Sequence, residues 1–246
     1  MTNKFYAPGE ERAARVNDLF ATIAHRYDLI NDLQSFGMHR FWKRRLIRMA
    51  DPRPGEKALD LCCGTGDVAF ALAAQGPEVV GLDFSAPMLA VAEKRSQELE
   101  LNSGKRVGTQ VHFVQGDAQK TPFEDATFDV VTISYGLRNL ASLDAGLREM
   151  KRLAKPGGRI LVLDFGKPDN TLWRACYFGY LRAFVPLLGR IFCGDSDTHG
   201  YILESLLHYA AQNGVATKMT ELGLRNVSII NLMGGMMSIN YGTRPA

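Results

Sequence analysis

Residues 59–67 read Leu59-Asp60-Leu61-Cys62-Cys63-Gly64-Thr65-Gly66-Asp67, an apolar run that breaks at two glycines. The apolar stretch 57–62 predicts a buried strand and 68–75 a helix, so the glycines occupy a strand-to-helix turn. Glycine lets the backbone approach a ligand there, and the first N–H groups of the helix are unpaired donors. A tight turn without a ligand is the plain alternative. Further along, strands are expected over 79–83, 111–115, 128–134 and 159–165, with helices over 86–99 and 143–153. A polar loop covers 102–109, and Lys155-Pro156-Gly157-Gly158 reads as a turn. Two strands, 226–232 and 236–241, close the chain as a hairpin across Met233-Gly234-Gly235. Strands alternating with helices imply βαβ units, hence an α/β fold with a seven-stranded, mostly parallel sheet and helices on both faces.

In the other direction, Val16, Leu19, Phe20, Ile23, Tyr27 and Ile30 carry the three-to-four spacing of an amphipathic helix, part of an N-terminal helical cover over 11–50. Residues 51–56, with two prolines and a glycine, end it. Residues 170–215 are mostly helical and aromatic, a cap on a single domain spanning 1–246. At 46% hydrophobic and 22% charged, the composition excludes a disordered, collagenous or disulfide-scaffold chain. Cys62 and Cys63 are adjacent and Cys176 and Cys193 lie 17 apart, so no zinc spacing occurs and no metal is expected. The reading is a reduced, cytoplasmic chain, with a polar N-terminus unlike a signal peptide and no uncharged apolar run of membrane-spanning length. A net charge of +3 spread over both halves argues against nucleic acid. Two stretches stand out. Residues 39–49 hold five Arg or Lys and no acid among Phe41, Trp42, Leu46, Ile47 and Met49. Residues 171–194 interleave Trp173, Tyr177, Phe178, Tyr180, Phe184 and Phe192 with three arginines. Each reads either as a helix packed on the core or as a surface for a lipid bilayer.

Gly64-x-Gly66-x-x-Ala69, with Asp83 19 residues after Gly64, fits a dinucleotide fingerprint. An acid at that strand end can take the ribose hydroxyls of NAD or of S-adenosylmethionine. Asp60, just before the loop, suits a cationic amino-acid head group and repels a pyrophosphate. Asp117-Ala118, after the third strand, can meet an adenine amino group. With Pro156-Gly157-Gly158 ahead of a later strand, this ordered set resembles the Rossmann-like class I methyltransferases that use S-adenosylmethionine. Cys62 departs from that superfamily, which often carries glycine there.

Three further stretches narrow the resemblance: 20–42 (FATIAHRYDLINDLQSFGMHRFW), 132–140 (TISYGLRNL), and Tyr201-Ile202-Leu203-Glu204-Ser205. From about residue 12 to 242 the chain resembles the ubiquinone/menaquinone biosynthesis C-methyltransferases. The resemblance implies methylation of a ring carbon of a polyprenylated quinol, demethylmenaquinol or the ubiquinol precursor, by S-adenosylmethionine. It carries the cofactor contacts to Thr65, Asp83, Asp117, Ala118 and Ser134, with Asp60 and the loop at Gly64 on the methionine portion. It weakens near Asn240, where the family often has histidine.

Carbon methylation needs a reduced, electron-rich ring and a group that favours its ionised oxygen. Arg138 and Asn139, after the fourth strand, are the expected holders of the ring oxygens, with Tyr27 enclosing the ring. A salt bridge for Arg138, a helix cap for Asn139 and a core role for Tyr27 are the bland alternatives. His25 and His39 read as polar-face positions and candidate bases. Asp67 and Asp164 read as a cap and a strand end. Tyr201 and Glu204 share a helix face, as structural or lid residues. Rival functions are methylation of another phenol or lipid, a non-catalytic assembly module and an NAD oxidoreductase. Contact with the inner face of a membrane follows from a lipid substrate, and a homo-oligomer stays open.

Overall fold

The computed structural model describes residues 18, 20, 24–103, 111–193 and 197–246. Among these, seven strands form one sheet: β1 (Lys57–Leu61), β2 (Glu78–Asp83), β3 (Val111–Gln115), β4 (Phe128–Ser134), β5 (Ala154–Phe165), β6 (Arg225–Leu232) and β7 (Met237–Thr243). Their order is β3-β2-β1-β4-β5-β7-β6. The first five pair in parallel, and β7 runs antiparallel to both β5 and β6. The expected hairpin turns at Met233–Gly235. β5 begins five residues before the expected 159, because the Lys155-Pro156-Gly157-Gly158 stretch pairs too. Gly157 N–H donates to the Arg244 carbonyl and Arg244 N–H to that of Gly158, both at 2.9 Å.

Among the described residues, eight α-helices accompany the sheet: α1 (Tyr27–Ser35), α2 (Met38–Ala50), α3 (Asp67–Ala73), α4 (Ala86–Ser103), α5 (Leu143–Leu153), α6 (Thr171–Cys193), α7 (Asp197–His208) and α8 (Ala211–Glu221). Strand side chains alternate between two cores, as the two-residue period of a strand requires. On one face Leu59, Leu61, Val131, Ile133, Ile160 and Val162 pack with apolar residues of α5, α6 and α8. On the other, Ala58, Val130, Leu161 and Leu163 pack with α2 and α3.

The N-terminal periodicity breaks at Phe36-Gly37, both in left-handed conformation, so α1 and α2 are separate helices. Positions 16, 19 and 23 of the expected stripe lie outside the described residues, as does most of the expected loop 102–109. The basic stretch 39–49 lies within α2, which buries His39, Trp42, Leu46 and Ile47 against the sheet and leaves Arg40, Arg44 and Arg48 exposed. Within the expected cap, Tyr177, Leu181 and Val185 make a buried stripe along α6 at four-residue intervals. Among the described residues, no helix is long and apolar enough to cross a membrane.

Candidate active site

The strand order reverses between β1 and β4, and an open parallel sheet forms its ligand crevice at the carboxyl ends beside such a point. The backbone is strained on both sides of it. Cys62, following β1, has φ +53°, and Tyr135, following β4, has φ +61°. A left-handed backbone costs a side-chain-bearing residue about 1–2 kcal/mol and concentrates at functional sites. The departure at Cys62 therefore falls where glycine is the relaxed choice. Room for the cysteine comes from Gly136, since a Cβ there would lie 2.5 Å from that of Cys62. Gly66 is required in the loop, because its φ is +88° and an added Cβ would lie 2.7 Å from the Phe70 ring.

A cleft of about 730 Å³ opens here, lined by Gly64, Asp83, Asp117, Ala118 and Ser134 among others. These five were the strand-end residues expected to meet the cofactor. Asp83 shapes the loop: Gly64 N–H donates to its Oδ2 at 2.8 Å and Ser85 N–H to its Oδ1 at 2.9 Å. Burial pushes its carboxyl above the usual range, against those hydrogen bonds. Asp117 Oδ1 accepts from Gln119 N–H at 2.9 Å. The other two expected contacts, Asp60 and Thr65, are buried and do not line the cleft. Asp60 accepts from Thr132 Oγ1 at 2.8 Å, and burial pushes its carboxyl up to about 7. The Thr65 carbonyl accepts from Arg95 Nη1 at 2.9 Å. Asp67, read from sequence as a cap, bridges Lys43 at 2.8 Å and Arg95 at 2.6 Å. Burial raises its pKa, but Lys43 and Arg95 outweigh that and hold it down at about 2.

A second cleft, of about 920 Å³, lies against the first. Phe20, Tyr27 and Tyr135 line both, so the two share a wall. Tyr27 thus sits at the junction, with Phe20 edge-on to its ring at 5.8 Å. Arg138 lines the second cleft but is not the free donor expected. It is buried, with Nη1 donating at 2.7 Å both to Asp164 Oδ1 and to the Tyr135 carbonyl. Its backbone N–H donates to Asp164 Oδ2, and its guanidinium covers the Phe165 ring at 4.5 Å. Burial works against the charge, and Asp164 outweighs it, holding the pKa up. Asp164, read as a mere strand end, is this partner. A lone acid in the apolar run 159–165 was the available signal, since a buried carboxylate needs a counter-charge.

Asn139 is likewise engaged: its Oδ1 accepts from Tyr201 Oη at 2.7 Å, and its Nδ2 donates to the Tyr135 carbonyl at 3.2 Å. It caps no helix, because Ser142 caps α5. Tyr201 is buried in the structure, while Glu204, partly exposed, stands 4.0 Å from His208. His39 is not on a polar face: it is 4% exposed and lines the second cleft. Ser35 Oγ lies 3.2 Å from its Nδ1 and Asp32 Oδ1 3.5 Å from its Nε2, and burial pushes it down to about 4. His25 is exposed and lines neither cleft. Asn240, buried, donates to the Gln212 carbonyl at 2.9 Å and ties β7 to α8.

Among the described residues, the buried side-chain polar atoms without a hydrogen-bond partner are Asn31 Nδ2, Trp42 Nε1, Ser85 Oγ, Ser134 Oγ, Tyr135 Oη and Arg138 Nε. Every one belongs to a residue lining one of the two clefts. A buried polar atom without a partner costs about 1–3 kcal/mol, and all six such atoms belong to residues around these clefts. Over residues 9–244 the sequence matches the description of the ubiE/COQ5 methyltransferase family. The chain belongs to that family. Membership makes it an S-adenosylmethionine-dependent methyltransferase, and the first cleft fits that cofactor, with carboxylates at the ends of β2 and β3 and free hydroxyls at Ser85 and Ser134. The chain is 40% identical to the ubiquinone/menaquinone biosynthesis C-methyltransferase UbiE of Ectopseudomonas mendocina, over 97% of this chain and 92% of that one. It is 38% identical to the UbiE of Cellvibrio japonicus, over 97% and 94%. Its fold is similar to an S-adenosylmethionine-dependent methyltransferase of Thermotoga maritima, with a TM-score of 0.65 at 15% identity, over 92% of this chain and 98% of that one. It is also similar to the geranyl diphosphate C-methyltransferase of Streptomyces coelicolor, with a TM-score of 0.61 at 14% identity, over 84% and 79%.

Proposed function

We propose that this member of the family methylates a ring carbon of a polyprenylated quinol, with demethylmenaquinol the first candidate and the ubiquinol precursor the second. The carrying observation is the pair of clefts that share Phe20, Tyr27 and Tyr135, one bearing Asp83, Asp117 and Ser134 and the other walled by Ile30, Trp42, Tyr177, Leu181 and Val185 with a few polar groups among them. The UbiE names of the relatives supply the quinol class. The apolar cleft suits a flat ring with a hydrocarbon tail.

The methyl carried by S-adenosylmethionine is electrophilic. Asp83 takes the ribose hydroxyls, Asp117 and Ala118 meet the adenine, and Ser134 and Gly64 close on the remainder. Asp60 and Thr65 support the loop from beneath, Asp60 as a buried carboxyl facing the charge above it. Tyr27 confines the ring against the shared wall. Holding ring and methyl in line supplies up to ~7–11 kcal/mol of the barrier. When bound, S-adenosylmethionine would supply the methyl to the ring carbon, its sulfur keeping the electron pair of the broken bond, and the ring hydrogen would pass to water as a proton. Only the reduced ring has the electron density to react. Arg138 and Asn139 serve this chemistry through Tyr135, whose carbonyl both hold.

Access from a membrane is supported by Leu29, Phe36, Phe184 and Leu187, all exposed, with the Phe36 and Phe184 rings 6.4 Å apart and Arg44 and Arg182 exposed nearby in sequence. The reading is a cytoplasmic protein that touches the inner membrane face; a homo-oligomer is compatible with it. The test offers demethylnaphthoquinol and demethylbenzoquinol analogues anaerobically with methyl-labelled S-adenosylmethionine. Label on either reduced ring, and none on the oxidised forms, supports the reading and identifies the ring. No label on either reduced ring overturns it.

A further inference from the structure

Four residues lining the second cleft each carry a buried polar atom without a partner, and these atoms share a chemical character. Asn31 Nδ2, Trp42 Nε1 and Arg138 Nε are pure donors, and Tyr135 Oη is a hydroxyl. Burial pushes the Tyr135 phenol well above its ordinary value, so it keeps its proton and donates. Among the described residues lining this cleft, no other buried side-chain polar atom lacks a partner. A ligand satisfying this cleft must bring lone pairs.

Tyr135 is held for the purpose. Its left-handed backbone is fixed by three hydrogen bonds: its N–H donates to the Leu163 carbonyl at 2.7 Å, and its carbonyl accepts from Arg138 Nη1 at 2.7 Å and Asn139 Nδ2 at 3.2 Å. Strain of this kind persists only where the surroundings over-determine it. The clamp stands its ring in the wall common to both clefts. It also accounts for Arg138 and Asn139 without either having to reach the substrate with its bonded atoms.

We propose that Asn31, Trp42, Tyr135 and Arg138 form a hydrogen-bond donor set that binds the oxygen substituents of an electron-rich aromatic ring, with Tyr135 the donor on the wall shared with the methyl donor's cleft. The set takes a hydroquinone or phenolate and gains nothing from a ring without oxygen. Donors aimed at a ring oxygen favour its ionised form, which pushes electron density onto the carbon that accepts the methyl. The ligand class rests on the quinol reading above, but the donor set is tested by binding alone.

The experiment measures, in the full chain with S-adenosylhomocysteine present and oxygen excluded, the dissociation constants of 1,4-dihydroxynaphthalene and of 1,4-dimethylnaphthalene. The parent protein should prefer the oxygenated ring by tenfold or more. Tyr135→Phe, which keeps its ring, and Trp42→Phe, which exchanges the indole for a smaller ring without a donor, should each cut that preference roughly two- to tenfold, as loss of one hydrogen bond does; for Tyr135→Phe the dimethyl compound's affinity should stay unchanged. Each variant should keep the parent's cooperative thermal unfolding, which shows it folded. No preference in the parent, or a preference unchanged in both variants, overturns the donor set. Absence of methyl transfer to any quinol by a parent that does show the preference would instead remove the quinol reading and leave the donor set standing.

Discussion

Cys62 and Gly136 are a matched pair, one residue in a strained backbone and the other bare enough to admit it. Gly136→Ala should destabilise the protein by about 1–3 kcal/mol through overpacking against Cys62. Cys62→Gly removes both the strain and the obstacle, so the double variant should recover more than half of that loss in urea denaturation. Additive losses would show that the contact is not the cause. Asp60 offers a second test at this scale. Its folded carboxyl sits near 7 against an ordinary 3.8, so the folded state binds the proton more tightly. The contribution to stability is full below about 4 and is lost as the pH rises through 7. Asp60→Asn should therefore gain stability relative to the parent between pH 5 and pH 8, by on the order of 2–4 kcal/mol. A gap between the two proteins that stays constant with pH would contradict it.

At the scale of elements, Asp67 joins α2 and α4 to the start of α3 through Lys43 and Arg95. Because Arg95 also holds the Thr65 carbonyl, the brace reaches the glycine loop. Asp67→Ala should cost roughly 1–3 kcal/mol, discounted for its partial exposure, and weaken S-adenosylmethionine binding in calorimetry. Unchanged affinity would confine the brace to stability. The strands and the loop were legible in the sequence because alternation, β-branched runs and glycines are local signals. Asp83, Asp117 and Ser134 were legible for the same reason, Asp83 and Ser134 ending strands and Asp117 lying two residues past one, with the strand direction implied by the pattern. Contacts between distant stretches were not. The Arg138–Asp164 pair spans 26 residues and needs the register of β4 beside β5 to be seen. Nothing local in YGLRN announces that Tyr135 turns left-handed. The burial of His39 depends on α2 breaking from α1 at Gly37 and lying on the sheet.

For the whole molecule, two clefts share a wall, and the apolar one lies beside exposed rings of α6 and the α1–α2 turn. Phe36→Asp combined with Phe184→Asp should reduce co-sedimentation with anionic vesicles at least tenfold and leave turnover of a short-tailed, water-soluble quinol intact. Vesicle binding that survives the double change would move the docking face elsewhere. In the proposed reaction the shared wall brings a sulfonium methyl to a ring carbon. Carbon-13 spectra of the product formed from methyl-labelled S-adenosylmethionine and a reduced demethylquinol test it most directly. A single label resonance from a methyl on ring carbon, absent when the ring is offered oxidised, is the predicted result. Label found on a ring oxygen, or equal labelling of oxidised and reduced rings, would contradict it.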